Sequence, residues 1–317
     1  MRPVLVVGIP RSGTTWIARV VAEGTGARYL EEPDNHFRFG FAFRAKEALG
    51  RREYPPLEPG EAPDAVQDYA RLWRDALGAP GRAPGVRGRT ADRLVSHAGP
   101  ARVSAALVGA ATGRDLDLAR RLAVPRRPER GHGTLLVKSV YAALAVEWIA
   151  SRHDVEVVVT TRHPLNIISS WQELGWLDGS GSEPLSTLDP AAAGALGERF
   201  GAAPPSGGSP VGRAAWLVGV LGCALDAAVA RNPSWHRVVH EDMCRSPVEG
   251  FHGLAAGLGL AWDAAGDRAI DDWNRPGEGY ETNRVAAELP DAWESRQRPH
   301  DVEEVVAVLE GLSRSVR

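Results

Sequence analysis

A three-layer α/β fold, a parallel sheet flanked by helices, is what this sequence predicts, on three observations. Residues 4–21, VLVVGIPRSGTTWIARVV, place an apolar strand, a glycine turn and an amphipathic helix in one short stretch. Residues 155–162, VEVVVTTR, are apolar and β-branched, as a strand buried on both faces has to be. Around them, strand signals alternate with helical ones, the pattern of repeated βα units. A chain of 317 residues has ample length for a core. We read it as a single domain over 1–317, with a helical insertion or cap at about 38–130 and a mobile loop at about 178–210.

The elements follow in order. Val4–Val7 is the first strand and Thr15–Glu23 the first helix. Ala27–Leu30 is a short second strand ending at Glu31-Glu32-Pro33. Residues 38–130 are rich in Arg, Ala and Pro, with loop-like pieces at Tyr54–Pro63 and Gly78–Gly88 and helical runs at Asp64–Leu77 and Val103–Leu122. Within FRFGFAFR, apolar residues (Phe37, Phe39, Phe41, Phe43) alternate with basic or small ones, which fits a strand-like edge or an acceptor groove equally. Leu135–Lys138 is the third strand, followed by a helix at Ala142–Ser151. Val155–Thr160 is the fourth, followed by a helix at Leu165–Trp171. Gly, Ser, Pro and Ala dominate 178–210 and predict a loop or lid. Val211–Arg231 is a long apolar helix, Trp235–His240 a fifth strand, and His252–Leu258 and Val302–Leu312 further helices.

Composition narrows the partners. A net charge of −3 gives no basic field for nucleic acid or an anionic membrane. The two cysteines, Cys223 and Cys244, form no CxxC or metal pattern, so free thiols in a reducing compartment are expected. The chain opens on a strand rather than a charged-then-apolar leader and has no uninterrupted apolar run of membrane length; a cytoplasmic location is the expectation.

Two anion sites are legible. Gly8-Ile9-Pro10-Arg11-Ser12-Gly13-Thr14-Thr15 has the P-loop frame of glycine, four residues, glycine, but Thr14 stands where the lysine should follow. That lysine normally reaches the β/γ-phosphates of a nucleoside triphosphate, so its loss argues against ATP or GTP chemistry. The turn and the helix N-terminus still offer backbone N–H groups to an anion. The second site is Arg162 at the end of the fourth strand, with Ser170 eight positions on in the next helix. A strand-end arginine offers a bidentate fork for phosphate. Ligands of an open parallel sheet bind beyond the carboxyl ends of its strands, so both sites should share one edge. A ligand phosphorylated at two separated places is implied.

At these residues the chain resembles the sulfotransferases dependent on 3′-phosphoadenosine-5′-phosphosulfate (PAPS), which have a P-loop NTPase-like fold. PRSGTTW at 10–16 resembles the family's 5′-phosphosulfate loop. RHPLNIISSW at 162–171 resembles its 3′-phosphate motif, and VVHEDMCRSPVEGFHGLAAGLGL at 238–260 its strand–Glu-Asp–helix segment. The tail around Asn283-Arg284 and Trp293 resembles the part that closes over the cofactor. The resemblance implies PAPS as donor, 3′,5′-diphosphoadenosine as product, no metal, and a small-molecule hydroxyl acceptor such as a secondary metabolite or glycoside. It leaves monomer and homodimer open.

The resemblance also implies roles. Arg11 would hold the 5′-phosphosulfate together with donors from Ser12, Gly13, Thr14 and Thr15, and Trp16 would stack on adenine or pack in the core. Arg162, Ser170 and Arg284 would bind the 3′-phosphate, and Lys138 would reach the bridging oxygen and the leaving phosphate. Cytosolic family members carry a histidine two positions after that lysine, where this chain has Val140. The PRSGTT branch, which includes tyrosylprotein sulfotransferases and bacterial enzymes, instead uses a glutamate about two dozen residues after the loop. Glu32 is the matching general base here, with Glu31 and His36 as alternatives. Glu241 and Asp242 read as structural anchors of a helix N-terminus. The second reading, a P-loop kinase or nucleotide-binding regulator, is weakened by the missing lysine.

Overall fold

The computed structural model describes residues 1–50, 53–78, 85–107, 113–128, 133–178, 193–194, 196–198, 203–205, 207–277 and 284–312. Most of the loop expected at 178–210 lies outside these residues, as does Asn283. Five strands, β1 (Val4–Gly8), β2 (Arg28–Glu31), β3 (Leu135–Ser139), β4 (Glu156–Thr161) and β5 (His236–Val239), form one sheet in the order β2-β3-β1-β4-β5. Every pairing in it is parallel.

Alternate residues of β1 sort the layers. Leu5 and Val7 enter a core with Trp73, Trp148, Trp171 and Trp216. Val4 and Val6 enter another with Trp16, Ile17, Phe251 and Ile270. Successive strand side chains point to opposite faces, so the sheet is the middle of three layers. Helix α1 (Thr14–Thr25) covers the second face with helices Pro247–Gly257 and Ala264–Trp273. The other face is covered chiefly by helices that follow β4, including Pro210–Arg231. By length and composition alone Pro210–Arg231 could cross a membrane; here its Trp216, Leu217 and Leu221 are buried in the sheet core.

Several boundaries differ from the sequence reading. FRFGFAFR is not strand-like: helix α2 (Gly40–Ala48) starts inside it. Phe41 and Phe43 are both buried, toward the main core and a satellite core, so the helix is enclosed on more than one side and its periodicity is masked. Helix α3 (Gln67–Leu77) matches the expected run. Helix α4 (Val86–Ala98) replaces the end of a predicted loop. The expected helix Val103–Leu122 is two, α5 (Pro100–Leu107) and α6 (Arg114–Leu122). Val95, Val103, Leu107 and Leu116 give these insertion helices a small core of their own with Phe43. After β3 only α7 (Val146–Ala150) is regular helix, and α8 (Pro164–Glu173) follows β4.

Candidate active site

A cavity of about 760 Å³ lies beyond the carboxyl ends of the strands. The turn after β1 contributes Arg11, Gly13, Thr14 and Thr15 to its wall, β2 ends on Glu31 and Glu32, and β3 supplies Lys138. Arg162 follows β4 and His240 follows β5. Of the residues predicted for the site, Trp16, Ser170 and Arg284 also line the cavity. Ser12 is the exception. Its side chain is fully buried with an unpartnered hydroxyl, and its N–H donates to the Ile9 carbonyl at 2.9 Å.

The turn is held from several sides. Gly13 caps α1 at φ 89°, a left-handed conformation that suits glycine, and a Cβ there would come within 2.2 Å of His240 Cδ2. Neither a side-chain cap nor an acidic residue occupies the first turn of α1. The N–H groups that a helix N-terminus leaves without intrahelical partners therefore keep their pull on an anion. Arg11 also has a positive φ, 71°, the kind of backbone strain concentrated at functional turns. Arg11 Nε donates to Ser170 Oγ at 2.9 Å, Arg162 Nη1 to the Arg11 carbonyl at 2.8 Å, and Trp171 Nε1 to the Pro10 carbonyl at 3.1 Å. The two anion motifs, far apart in sequence, are thus bonded to each other. Trp16 packs edge-on against His240 and Phe251, so most of the ring belongs to the core. Arg284 N–H donates to the Trp273 carbonyl at 3.3 Å.

The β2–β3 side of the cavity carries a carboxylate–ammonium pair. In the β2–β3 register Glu31 sits beside Lys138, and the Glu32 N–H extends the ladder by donating to the Lys138 carbonyl at 2.7 Å. There the chain turns, with Glu32 at φ 43°. Its carboxylate accepts from Lys138 Nζ through Oε1 and from Asn35 Nδ2, at 2.7 Å, through Oε2. Burial pushes the Glu32 carboxyl up, but the Lys138 charge and hydrogen bond, with Asn35 and Arg38, outweigh it and hold the group below its ordinary value.

That direction sets an acid-side stability effect. A carboxyl whose folded pKa is depressed stabilises the fold above its ordinary value of 4.5, and this is lost as pH falls through the depressed one. Melting curves of the wild type and of Glu32→Gln should therefore converge on acidification from pH 6 to pH 3. A constant gap would show that the pair does not set this dependence.

The alternative bases fare differently. Glu31 lines the cavity but pairs with Arg19 at 3.2 Å. His36 is fully buried, with Nδ1 3.2 Å from Lys46 Nζ, and it is not in the cavity wall. Burial and the Lys46 charge hold its imidazole well below its ordinary pKa.

A polar hub positions the arginine edge. Glu241 Oε1 accepts from the His163 N–H at 2.9 Å and from Asn166 Nδ2 at 3.1 Å, at the start of α8. Asn166 in turn donates to the Pro290 carbonyl at 2.8 Å and accepts from the Trp293 N–H at 3.2 Å. The strand end bearing Arg162 is therefore tied to the C-terminal segment. Sequence reasoning missed the cavity residues Asn35, Glu53, Tyr54, Tyr141 and Arg296, which carry no local motif, and His240, which lies in the 238–260 segment but was given no role. Among the described residues, no group of three His, Cys, Asp or Glu is placed to hold a metal.

No protein-family model matches the chain, and no curated protein does. Among solved structures, it is similar to the sulfotransferase domain from the curacin biosynthetic pathway, with 13% identity and a TM-score of 0.48 over 100% of this chain and 99% of that one. It is also similar to the sulfotransferase domain of the Synechococcus PCC 7002 olefin synthase, with 15% identity and a TM-score of 0.46 over 99% and 95% of the two chains. A third likeness is to a sulfotransferase from Mycobacterium avium, with 15% identity and a TM-score of 0.41 over 93% of this chain and 75% of that one. At such values the residues of the cavity have to carry the function.

Proposed function

We propose that the protein is a sulfotransferase moving the sulfuryl group of PAPS to a hydroxyl of a small-molecule acceptor. One observation carries this reading. A single cavity is lined both by an uncapped helix N-terminus with arginines and by a carboxylate–lysine pair. The first half suits a ligand with two separated anionic groups, and the second suits proton removal beside a departing oxyanion.

The fit of the donor rests on these groups. The N–H groups of Thr14 and Thr15 and the Arg11 guanidinium would hold the 5′-phosphosulfate, and Arg162, Ser170 and Arg284 the 3′-phosphate. Bound, PAPS supplies an activated sulfuryl group. Glu32 then takes the proton of the acceptor hydroxyl as its oxygen bonds to sulfur, and Lys138 neutralises the phosphate oxygen released when the S–O bond breaks. Glu32 and Lys138 hold each other while the donor is absent. Once Lys138 turns to the donor, Glu32 loses its nearest counter-charge and becomes a stronger base. Basicity thus rises only when there is something to attack.

The kinase reading meets a structural objection. Thr14 replaces the P-loop lysine, and Lys46, the other lysine besides Lys138, is buried in the insertion and bonded to the Glu53 carbonyl at 2.8 Å. A thermal-shift comparison separates the readings. At about 100 times its Kd, 3′,5′-diphosphoadenosine should stabilise the fold by about 2.7 kcal/mol, and ATP with Mg²⁺ should not. Stabilisation by ATP–Mg²⁺ alone would overturn the proposal.

A further inference from the structure

Past Glu32 and Lys138 the cavity wall includes Phe37, Glu53, Tyr54 and Tyr141. The rings of Phe37 and Tyr54 lie with centroids 6.3 and 5.8 Å from that of Tyr141. Among them the Glu53 side chain is only 4% exposed, yet its Oε2 hydrogen-bonds nothing. A buried polar atom left unpaired is costly and needs an explanation.

Among the described residues no cation pairs closely with this carboxyl. Its ion-pair neighbour among them is His36 Nε2 at 3.9 Å, on an imidazole held neutral by burial and by Lys46. Lys46 is close, but its ammonium bonds the Glu53 backbone carbonyl at 2.8 Å and His36 Nδ1 at 3.2 Å, and lies 4.3 Å from the Tyr141 ring centroid. Asp34 is buried beside this group; Oδ1 accepts from Ser139 Oγ at 2.7 Å and Oδ2 has no partner. Two buried carboxyls therefore share one buried ammonium. Burial pushes Glu53 up to about 8, against the pull of the Lys46 charge, and pushes Asp34 upward as well, so without a further cation Glu53 holds its proton at neutral pH. Of the two, Glu53 is the one in the cavity wall.

Resting on the sulfotransferase reading, we propose that this wall is the acceptor subsite and that it selects an alcohol or phenol bearing a protonated amine. The acceptor hydroxyl lies at Glu32, and the ammonium lies against Glu53 Oε2 and the faces of the surrounding rings. Such a cation favours release of the Glu53 proton to solvent, donates to the unpaired oxygen of the resulting carboxylate and gains the attraction of the aromatic faces. A carboxylate on the acceptor would instead meet the Glu32 carboxylate and find no positive partner in Glu53.

Calorimetry with three probes of one scaffold tests this without the donor. Tyramine, tyrosol and 4-hydroxyphenylpropionate share a phenol and end in an ammonium, a hydroxyl and a carboxylate. At pH 7 the wild type should bind tyramine about tenfold more tightly than tyrosol and the carboxylate least of all. Glu53→Gln, similar in size, should bring tyramine down to tyrosol while tyrosol shifts by less than about threefold. Phe37→Leu, at a half-buried ring, should weaken tyramine more than tyrosol and gives a second route if Glu53→Gln does not fold. Equal binding of tyramine and tyrosol by the wild type, no binding of tyramine, or a preference that survives in a folded Glu53→Gln overturns the proposal. A parallel titration with 3′,5′-diphosphoadenosine keeps the two readings apart. Binding of that nucleotide without amine preference removes the subsite and leaves the donor reading; amine preference without nucleotide binding does the reverse.

Discussion

Glu32→Gln should lower kcat by about 10²–10⁴, the usual contribution of a positioned general base, while 3′,5′-diphosphoadenosine binds as tightly as before or more tightly. The split follows from the geometry. Glu32 follows β2, with β3 between it and β1, and the Arg11–Ser170 and Arg162–Arg11 bonds do not involve it, so its loss leaves the anion sites unchanged. Its carboxylate also holds Lys138 Nζ, and the neutral amide releases that lysine toward the donor. A substitution acting through general loss of structure would weaken nucleotide binding and turnover together. Near-normal kcat in Glu32→Gln would show that another group takes the proton, and Glu31, which also lines the cavity, would be examined next.

Arg162→Ala should weaken 3′,5′-diphosphoadenosine by about 10–100-fold, the range for loss of a charge-assisted hydrogen bond. Arg162 acts in two ways. It lines the cavity, and Nη1 holds the Arg11 carbonyl at 2.8 Å, fixing the turn that presents the α1 N-terminus. Burial pulls the group's pKa downward, yet an arginine remains charged at neutral pH. Arg162→Lys should recover little, because one ammonium cannot bond a phosphate bidentately and hold the carbonyl as well. Turnover at saturating donor should fall far less than affinity. An unchanged dissociation constant, measured by calorimetry, would remove Arg162 from the nucleotide site.

The inner strands β3, β1 and β4 were legible in the sequence because a parallel strand covered on both faces reads as a near-continuous apolar run. The edge strands β2 and β5, RYLE and HRVV, gave a weaker signal from their β-prone residues. The turn at 8–15 was legible because its glycines and hydroxyl residues sit at fixed offsets. The Glu32–Lys138 pairing was not, since it depends on β2 lying next to β3 in the order β2-β3-β1-β4-β5, and periodicity carries no strand order. Arg11 meeting Ser170 depends likewise on long-range packing. Helix α2 was misread because its phenylalanines are shared between two cores. Glu53 carries no sequence signal of its own; the tertiary fold buries it among aromatic rings. Ser12 shows the opposite error, since its place in a phosphate-loop pattern suggested a donor that the fold turns inward.

The most direct measurement of the central claim follows the sulfur itself. Wild-type protein would be incubated with radiosulfur-labelled PAPS and a collection of small alcohols and phenols, amine-bearing ones included. The expected result is label in an organic sulfate, 3′,5′-diphosphoadenosine formed in equal amount, and loss of both in Glu32→Gln. Transfer of a phosphoryl group from ATP to the same acceptors, with no label moved from PAPS, would contradict it.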